Sequence, residues 1–174
     1  MKKVVLFFAL LLFGVNLSAQ DPLFFSKVIE AKGLYKSTIY SAVRSWFSAT
    51  YNDSDNVIET DDEDAGIIIA RGAVEYHKDG IAYACYEGQI KYLIEAQVKN
   101  GQYLVVITYI THEVKSSSSK SCELGLITEE YAPYLKGPTK KFHNEVVQDI
   151  QMKMEEYSTS LFKRIEETTM SLYK

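Results

Sequence analysis

Cysteine, proline and glycine are all scarce in this chain of 174 residues, which contains two, three and nine of them respectively. So few cysteines exclude a small disulfide-scaffold protein, and so little glycine and proline exclude a fibrous one. No apolar run reaches the roughly 20 residues that a membrane-spanning helix needs. In contrast, 47% of the residues are hydrophobic and 13% are aromatic. This composition predicts one globular domain with an ordinary core rather than a disordered chain.

The first nineteen residues have the three parts of a secretory signal peptide. Lys2-Lys3 gives a positive start, Val4–Phe13 is an unbroken apolar run, and Ala19 is a small residue before the predicted cut. No cysteine lies near the cut, so a lipid anchor of the bacterial lipoprotein type is not expected. We therefore expect residues 1–19 to be removed and residues 20–174 to form a single periplasmic or secreted domain without a stable membrane anchor.

Basic residues are too few and too scattered to hold a nucleic acid. Removal of the signal peptide takes away two lysines and no acid, so the formal net charge changes from −4 to −6. No basic run is longer than two residues, and the aromatic residues are not interleaved with arginine. Affinity for a phosphate backbone comes from Lys and Arg side chains that displace counterions. The sequence therefore predicts no nucleic-acid partner, and the same reasoning disfavours adhesion to anionic lipid.

Changes in hydrophobic spacing divide the first part of the mature chain into short elements. The predicted segments are a strand at Leu23–Ala31, a helix at Lys36–Tyr51, a breaker at Asn52–Asp55, a short strand at Val57-Ile58, an acidic turn at Asp61–Asp64 and a strand at Ala65–Tyr76. The helical stripe places Trp46 in the core. Gly66 and Gly72 predict a bulge or the close approach of another backbone.

The pair Asn100-Gly101 predicts a hairpin with a two-residue primed turn, because both residues readily adopt positive φ. With that turn, Tyr92 is opposite Tyr109 and most apolar residues fall on one face, which we expect to meet the helices. The other face is mostly polar and includes His112, but it carries four apolar side chains: Leu93, Leu104, Val106 and Ile110. A solvent-exposed sheet face does not need so much apolar surface, so we predict that these four residues form a ligand or partner surface.

The last predicted element is a long helix from about Thr139 to Leu172, which follows a serine-rich loop at Ser116–Ser121. Its apolar residues recur at helical spacing from Phe142 onward. At 1.5 Å per residue such a helix would be about 50 Å long, which exceeds the width of a domain of this size. Either it breaks near Ser158–Ser160 and folds back, or its end overhangs the domain and offers a site for a partner.

Five segments resemble a known family: Gly33–Tyr40, Trp46-Phe47, Asn56–Ile58, Asp61-Asp62 and Gly66–Gly72. Over roughly residues 25 to 110 the chain resembles a bacterial secreted family of unknown function whose fold is like one half of the TATA-box-binding protein (TBP). The resemblance implies an α+β fold with a TBP-like curved antiparallel sheet, the order β-α-β-β-β-β-α and helices packed on one face. It implies no catalytic residues, and the shape of the sheet alone does not imply DNA binding.

The sequence gives little support for a metal site or a cofactor site. The carboxylates of Asp61–Asp64 suggest calcium, but in an EF-type loop Ala65 would fall on a ligand position and Gly72 would replace the bidentate glutamate. The chain has three histidines, none at the spacing of metal ligands: His77, His112 and His143. We therefore predict no metal site and no cofactor.

The two cysteines, Cys85 and Cys122, could form a disulfide in an oxidising compartment or remain free. Closing this loop would stabilise the fold by at most about 4 kcal/mol in the chain-entropy model. An unbroken hairpin register places Cys85 opposite Ser116, so the serine-rich loop must double back for the bond to form.

Two functions from different classes remain. The first is an exported, non-enzymatic binding or assembly module, a monomer or weak homo-oligomer, which binds an unidentified protein or small ligand on its open sheet face. The second is an extracytoplasmic hydrolase with an acid and a histidine drawn from His77, His112 and Asp61–Asp64. A cleft with a carboxylate within hydrogen-bond reach of either histidine would favour the hydrolase.

Overall fold

The structure is a computed structural model and describes residues 21–51, 57–129 and 137–173. The predicted signal peptide and the breaker at Asn52–Asp55 lie outside the described residues. The described α-helices and strands are, in chain order, β1 (Phe25–Glu30), α1 (Lys36–Thr50), β2 (Ile58–Asp62), β3 (Ile67–Tyr76), β4 (Gly88–Lys99), β5 (Gln102–Val114), β6 (Gly125–Leu126) and α2 (Gly137–Met170).

The six described strands form one antiparallel sheet in the order β1-β5-β4-β3-β2, and β6 pairs with β5 beyond the end of β1. Both α-helices pack on one face of the sheet, here called the inner face. No helix of the described residues covers the opposite face, here called the outer face. The predicted order of elements is confirmed, with the two-residue β6 as an addition.

The hairpin turn also caps the start of α1. Tyr35 precedes this helix and provides no side-chain cap. Instead, the backbone N–H of Lys36 donates to the side-chain oxygen of Asn100 at 2.8 Å, and the N–H of Gly101 donates to the carbonyl of Leu34 at 3.0 Å. Among the two turn residues only Gly101 has a positive φ, of 75°, so the turn is not of the primed type that was predicted. The side chain of Asn100 is used to cap a helix.

The predicted hairpin register holds from the turn as far as Leu93, which lies opposite Thr108, and then shifts. The shift is a β-bulge, because two residues of β5, Tyr109 and Ile110, lie opposite the single residue Tyr92 of β4. Tyr109 has a φ of 52°, a conformation that non-glycine residues rarely adopt.

The bulge reverses the faces that were predicted for the residues after it, because side chains alternate along a strand with a period of two. Tyr109, expected on the inner face, is 62% exposed, whereas Ile110 is 0% exposed. The prediction that Ile110 belongs to the outer surface is therefore wrong. His112, also expected outside, is fully buried.

Helix α2 is continuous for 34 residues and has neither a break nor a fold-back. Ser158, at the expected break, is buried, and its hydroxyl donates to the carbonyl of Met154 at 2.6 Å. The helix itself thus satisfies this hydroxyl. The buried stripe runs from His143 to Thr169, so α2 packs on the domain along most of its length. No helix in the described ranges is long and apolar enough to cross a membrane.

The same substitution at two neighbouring positions should distinguish the bulged register from the unbroken one. Ile110→Asn places an amide in the core and should lower the free energy of unfolding by roughly 3 kcal/mol or more. Tyr109→Asn should change it by less than about 1 kcal/mol, because the ring is exposed and asparagine tolerates positive φ. Urea unfolding measures both values. A larger loss for Tyr109→Asn than for Ile110→Asn would support the unbroken register.

Candidate functional site

The outer face of the sheet carries apolar side chains from four strands: Val28, Ile67, Ile69, Leu93, Leu104, Val106 and Tyr109. Three of the four residues predicted for a partner surface, Leu93, Leu104 and Val106, lie here and are half-buried. The structure extends this surface to β1, where Val28 lies opposite Leu104 and is 58% exposed.

A cavity of about 940 Å³ opens at one end of the outer face. Its lining residues come from the outer face, the edge of the sheet and the segment around the end of α1: Thr50, Tyr51, Val57, Arg71, Gly72, Ala73, Lys91, Tyr92, Leu93, Tyr109, Thr111 and Glu113. Leu93 and Ala73 contribute apolar surface between the charged side chains. Tyr109 and Thr111 line the cavity because the bulge turns both of them outward.

The cavity reaches around the edge of the sheet at Gly72. A side-chain carbon added at Gly72 would lie 2.2 Å from the ring of Tyr92, so only glycine leaves room for this ring. The prediction that another backbone lies close to Gly72 is therefore wrong, because the neighbour is a side chain. At Gly66 the close neighbour is backbone, because an added carbon would lie 2.5 Å from the carbonyl oxygen of Val98.

Three tyrosine hydroxyls join the floor of the cavity to both helices. The Tyr92 hydroxyl lies 3.3 Å from that of Tyr51 and 2.7 Å from that of Tyr157 in α2. Burial raises the pKa of Tyr51 to about 12 and also raises the pKa of Tyr92. Both hydroxyls are therefore neutral at physiological pH and can donate as well as accept hydrogen bonds.

Two ion pairs border the cavity on the outer face. Lys91 pairs with Glu113, and Arg71 pairs with Glu59. All four side chains are substantially exposed, so each pair contributes little to stability and can be exchanged for a ligand group at small cost. The cavity thus combines apolar walls with a few polar and charged groups, as small-ligand and peptide sites do.

His112 is a structural residue and not a catalytic candidate. Its Nε2 donates to the carbonyl of Tyr86 at 2.8 Å, and its Nδ1 accepts from the N–H of Leu124 at 3.3 Å. These two bonds require the neutral imidazole, and burial lowers the pKa of His112 accordingly.

The other histidines also lie away from the cavity. His77 is exposed, and its Nε2 lies 3.1 Å from Oδ1 of Asp79, which projects into solvent as well. A carboxylate is therefore within reach of this histidine, but the pair is not in a cleft. His143 is buried against the ring of Tyr86, and burial lowers its pKa.

The acidic residues predicted for a turn have structural partners. Asp61 and Asp62 belong to β2 rather than to the turn. Asp61 accepts hydrogen bonds from Tyr40 Oη and Arg44 Nε, both at 2.6 Å, and the Tyr40 bond is the main cause of its lowered pKa. Asp62 accepts from the N–H of Ala65 at 2.8 Å. Within the described ranges, no three His, Cys, Asp or Glu side chains are grouped to hold a metal ion.

A disulfide joins Cys85 to Cys122, with a Cα–Cα distance of 5.9 Å. Each cysteine lies in a short 3-10 helix, Ile81–Tyr86 or Ser117–Cys122, so the serine-rich loop does double back. The imidazole of His112 hydrogen bonds to Tyr86, the last residue of the first helix, and to Leu124, two residues after the second. One covalent bond and one neutral side chain therefore hold this end of the domain together.

The neutral state of His112 should make stability depend on pH. Because its folded-state pKa lies below the unfolded value near 6.5, the unfolded chain binds more protons, and stability falls as pH drops below about 6.5. His143 contributes with the same sign. Urea unfolding between pH 7 and pH 5 should show a loss of up to about 1.4 kcal/mol per pH unit for each histidine.

Two variants test which histidines cause this dependence of stability on pH. His112→Gln should reduce this slope, and His143→Gln should reduce it as well. An unchanged slope in His112→Gln would show that this residue is not the source.

Comparisons with known proteins agree with this architecture. The family model of a domain of unknown function (DUF4468) with TBP-like fold matches residues 25–113. A TBP-like protein from Parabacteroides distasonis is 14% identical, with a TM-score of 0.57 over 86% of this chain and 93% of that one. A DUF4468 family protein from Bacteroides ovatus is 15% identical, with a TM-score of 0.54 over 85% of this chain and 86% of that one. No curated protein matches the chain.

The two structural matches show the fold alone, because their sequence identities are low. They confirm the α+β, TBP-like architecture that the resemblance implied. The family match covers half of the chain. The chain therefore belongs to the DUF4468 family of domains with a TBP-like fold.

Proposed function

We propose that this chain is an exported, non-enzymatic binding or assembly module that holds its partner on the outer face, at the cavity beside Tyr109. The backbone of Tyr109 carries the proposal. A positive φ at a tyrosine costs roughly 1–2 kcal/mol, and the ring gains little packing in return, since it is mostly exposed. Strained residues of this kind cluster at binding and active sites, and bulges often turn a side chain toward such a site.

The outer face itself also supports a binding role. Its apolar residues lie together on a surface that no described helix covers, and contiguous apolar surface of this kind marks interaction sites. The partner is an unidentified protein or small ligand, and the chain acts as a monomer or weak homo-oligomer. Nucleic acid is not proposed, because the mature chain would carry a formal charge of −6.

A hydrolase receives less support. His77 and Asp79 are the one histidine and carboxylate pair found within 3.5 Å in the described ranges, and both are in solvent. His112 is fully engaged with backbone groups.

Export is proposed from two independent features. One is the signal-peptide pattern of residues 1–19. The other is the disulfide between Cys85 and Cys122, since such bonds persist mainly in oxidising compartments.

One mass measurement tests both features. The chain isolated from its native cells should have the mass of residues 20–174 less two hydrogens, and iodoacetamide should not alkylate it before reduction. The same protein after reduction provides the control, with two alkylated thiols. An intact Met1 together with two thiols that react without reduction would contradict export.

Selection of binding peptides tests the outer face. Residues 20–174, immobilised through the carboxyl terminus, should enrich specific sequences from a random heptapeptide display library. Leu93→Gln and Tyr109→Ser should weaken binding of the enriched peptides at least tenfold, because they remove apolar surface from the cavity. Lys99→Glu, at the far end of the same face, is the matched control and should bind normally. Failure to enrich any sequence over bare support, or equal binding by all variants, would contradict the proposal.

A further inference from the structure

Strand β1 forms one edge of the sheet, because β5 is its neighbour on one side and no described strand lies on the other. The N–H of Ala31 donates to the carbonyl of Gly101 at 2.8 Å, in register with the β1–β5 pairs. Hydrogen bonds alternate along an antiparallel strand, so the odd-numbered residues of β1 bond to β5. The N–H and carbonyl groups of Ser26, Val28 and Glu30 therefore point away from the sheet, where no described backbone group bonds to them.

A groove runs between this edge and helix α2. Two cavities, of about 280 and 360 Å³, adjoin along the groove and share Phe25 and Glu155 as lining residues. Lys27 lines the strand side of the smaller cavity, and Thr159 and Phe162 line its helix side. An extended peptide can add to such an edge as a further strand while its side chains enter the pockets beside it.

Residues 130–136, outside the described part of the chain, are too few to cover this groove. They begin after Glu129, whose carbonyl accepts from Gln151 at 3.3 Å, and they end at Gly137. Along α2, Gly137 lies about 21 Å before Gln151, and Thr159 lies about 12 Å after it. A segment of this length spans at most about 28 Å, so it can join Glu129 to Gly137 but cannot extend to Thr159 and return.

The two other long segments outside the described residues do not cover the groove either. Residues 52–56 join Tyr51, beside Tyr92 of β4, to the start of β2. β2 lies at the opposite edge of the sheet, about 19 Å from β1 at the usual strand spacing. Residues 52–56 span at most about 21 Å, so they cannot reach β1 and come back. Residues 1–19 are removed by the cleavage that is proposed above.

The charge of the groove favours a basic occupant. Glu155 lines both cavities, and no ion pair among the described residues includes it. Lys27 does not neutralise this carboxylate, because its ammonium group pairs with Glu166 at 2.6 Å. A second copy of the chain fits less well than a basic peptide, since a two-fold interface would bring Glu155 of both copies into the same contact.

We propose that the groove between β1 and α2 binds an extended basic peptide of a partner protein as an added antiparallel strand. This inference goes beyond the proposed function, since the groove is separate from the cavity beside Tyr109. The added strand forms backbone hydrogen bonds with Ser26, Val28 and Glu30, which is the usual source of affinity in strand addition. The antiparallel direction matches every described strand pair in the sheet.

Two positions of the peptide are specified by side chains on the outer face. Val28 is 58% exposed, so an apolar residue opposite it removes apolar surface from water. Glu30 pairs with Lys32 at 2.8 Å, but both side chains are well exposed and the pair contributes little. A base opposite Glu30 is therefore favoured, because opposite charges across a strand pair attract.

Two more positions are specified inside the groove, because side chains alternate between the two faces. The side chain opposite Lys27 enters the smaller cavity, where Thr159 and Phe162 suit an apolar group of medium size. The side chain opposite Phe25 lies beside Glu155, where a base forms an ion pair. From its amino end, the antiparallel peptide reads base, any residue, apolar, apolar, any residue, base.

Amide chemical shifts of ¹⁵N-labelled residues 20–174 provide the test, with acetyl-Lys-Thr-Val-Leu-Thr-Arg-amide as the probe. Millimolar peptide should shift the amides of Ser26, Val28 and Glu30. Acetyl-Glu-Thr-Val-Leu-Thr-Glu-amide, in which acids replace both bases, should bind at least fivefold more weakly. Equal binding of the two peptides would overturn the proposal, and so would the absence of any shift at these three amides.

A pair of variants tests the role of the groove carboxylate. Glu155→Lys should weaken binding of the basic peptide at least fivefold. Glu156→Lys is the matched control, because it makes the same change of charge at the next residue of α2, which is also exposed, and it should bind normally. Equal weakening by both variants would reveal a general effect of net charge and overturn the groove as the site.

Backbone methylation distinguishes strand addition from other modes of binding. N-methylation at the valine, whose N–H would face the carbonyl of Val28, should abolish binding. N-methylation at the leucine, whose N–H would point away from β1, should be tolerated. Equal effects of the two methyl groups would overturn strand addition.

Two further outcomes separate this inference from the proposed function. Peptide-induced shifts confined to Leu93 and Tyr109 would support the outer-face cavity as a binding site and overturn the groove. A dimer that forms with rising protein concentration and shifts the same three edge amides would assign the edge to a second copy of the chain, which also overturns the peptide as its occupant.

Discussion

The bulge at Tyr109 determines which residues of the second half of β5 lie in the core. One additional residue opposite Tyr92 brings Ile110 and His112 to the inner face and puts Tyr109 and Thr111 outside. Inside, His112 can then bond to Tyr86 at the end of the first 3-10 helix and to Leu124 just after the second. Outside, Tyr109 and Thr111 become walls of the cavity. A single irregularity in the backbone thus both completes the core at this end and shapes the candidate site.

Tyr92 connects the two sides of the sheet. It lies opposite the bulge, its ring rests against Gly72, and its hydroxyl joins Tyr51 to Tyr157. Any side chain at Gly72 would displace the ring and disturb the hydroxyl contacts that link the end of α1, the sheet and α2. The cavity is therefore bounded by the most constrained part of the core, although it opens on a solvent-exposed face.

Much of the fold can be predicted from the sequence. The alternation of side chains between the two faces and the two-residue turn together set the register of the β4–β5 hairpin as far as Leu93. The bulge could not be predicted from alternation, since Tyr109 and Ile110 are adjacent and both apolar, and either could face inward. Adjacent apolar residues are no signal of a bulge in this strand, because the apolar run Leu104–Ile107 pairs with β4 in an unbroken register.

Other wrong predictions concern polar residues, because only the folded structure determines which groups these side chains hydrogen bond to. His112 was expected outside, but backbone groups distant in sequence satisfy its ring. Ser158 was expected to break α2, but a carbonyl one turn earlier accepts its hydroxyl. Register alone places Leu93, Leu104 and Val106 on the outer face.

The position of the disulfide has a consequence for the order in which the parts of the domain assemble. Cys122 follows Cys85 by 37 residues, and most of the chain between them is the β4–β5 hairpin. A hairpin with a short turn forms through local contacts and therefore rapidly. Once it has formed, Gly88 lies opposite Val114, and the two cysteines flank the joined ends. None of these steps needs α2, so the crosslink can close before the carboxyl-terminal helix packs, and that helix then docks on a platform that is already covalently closed.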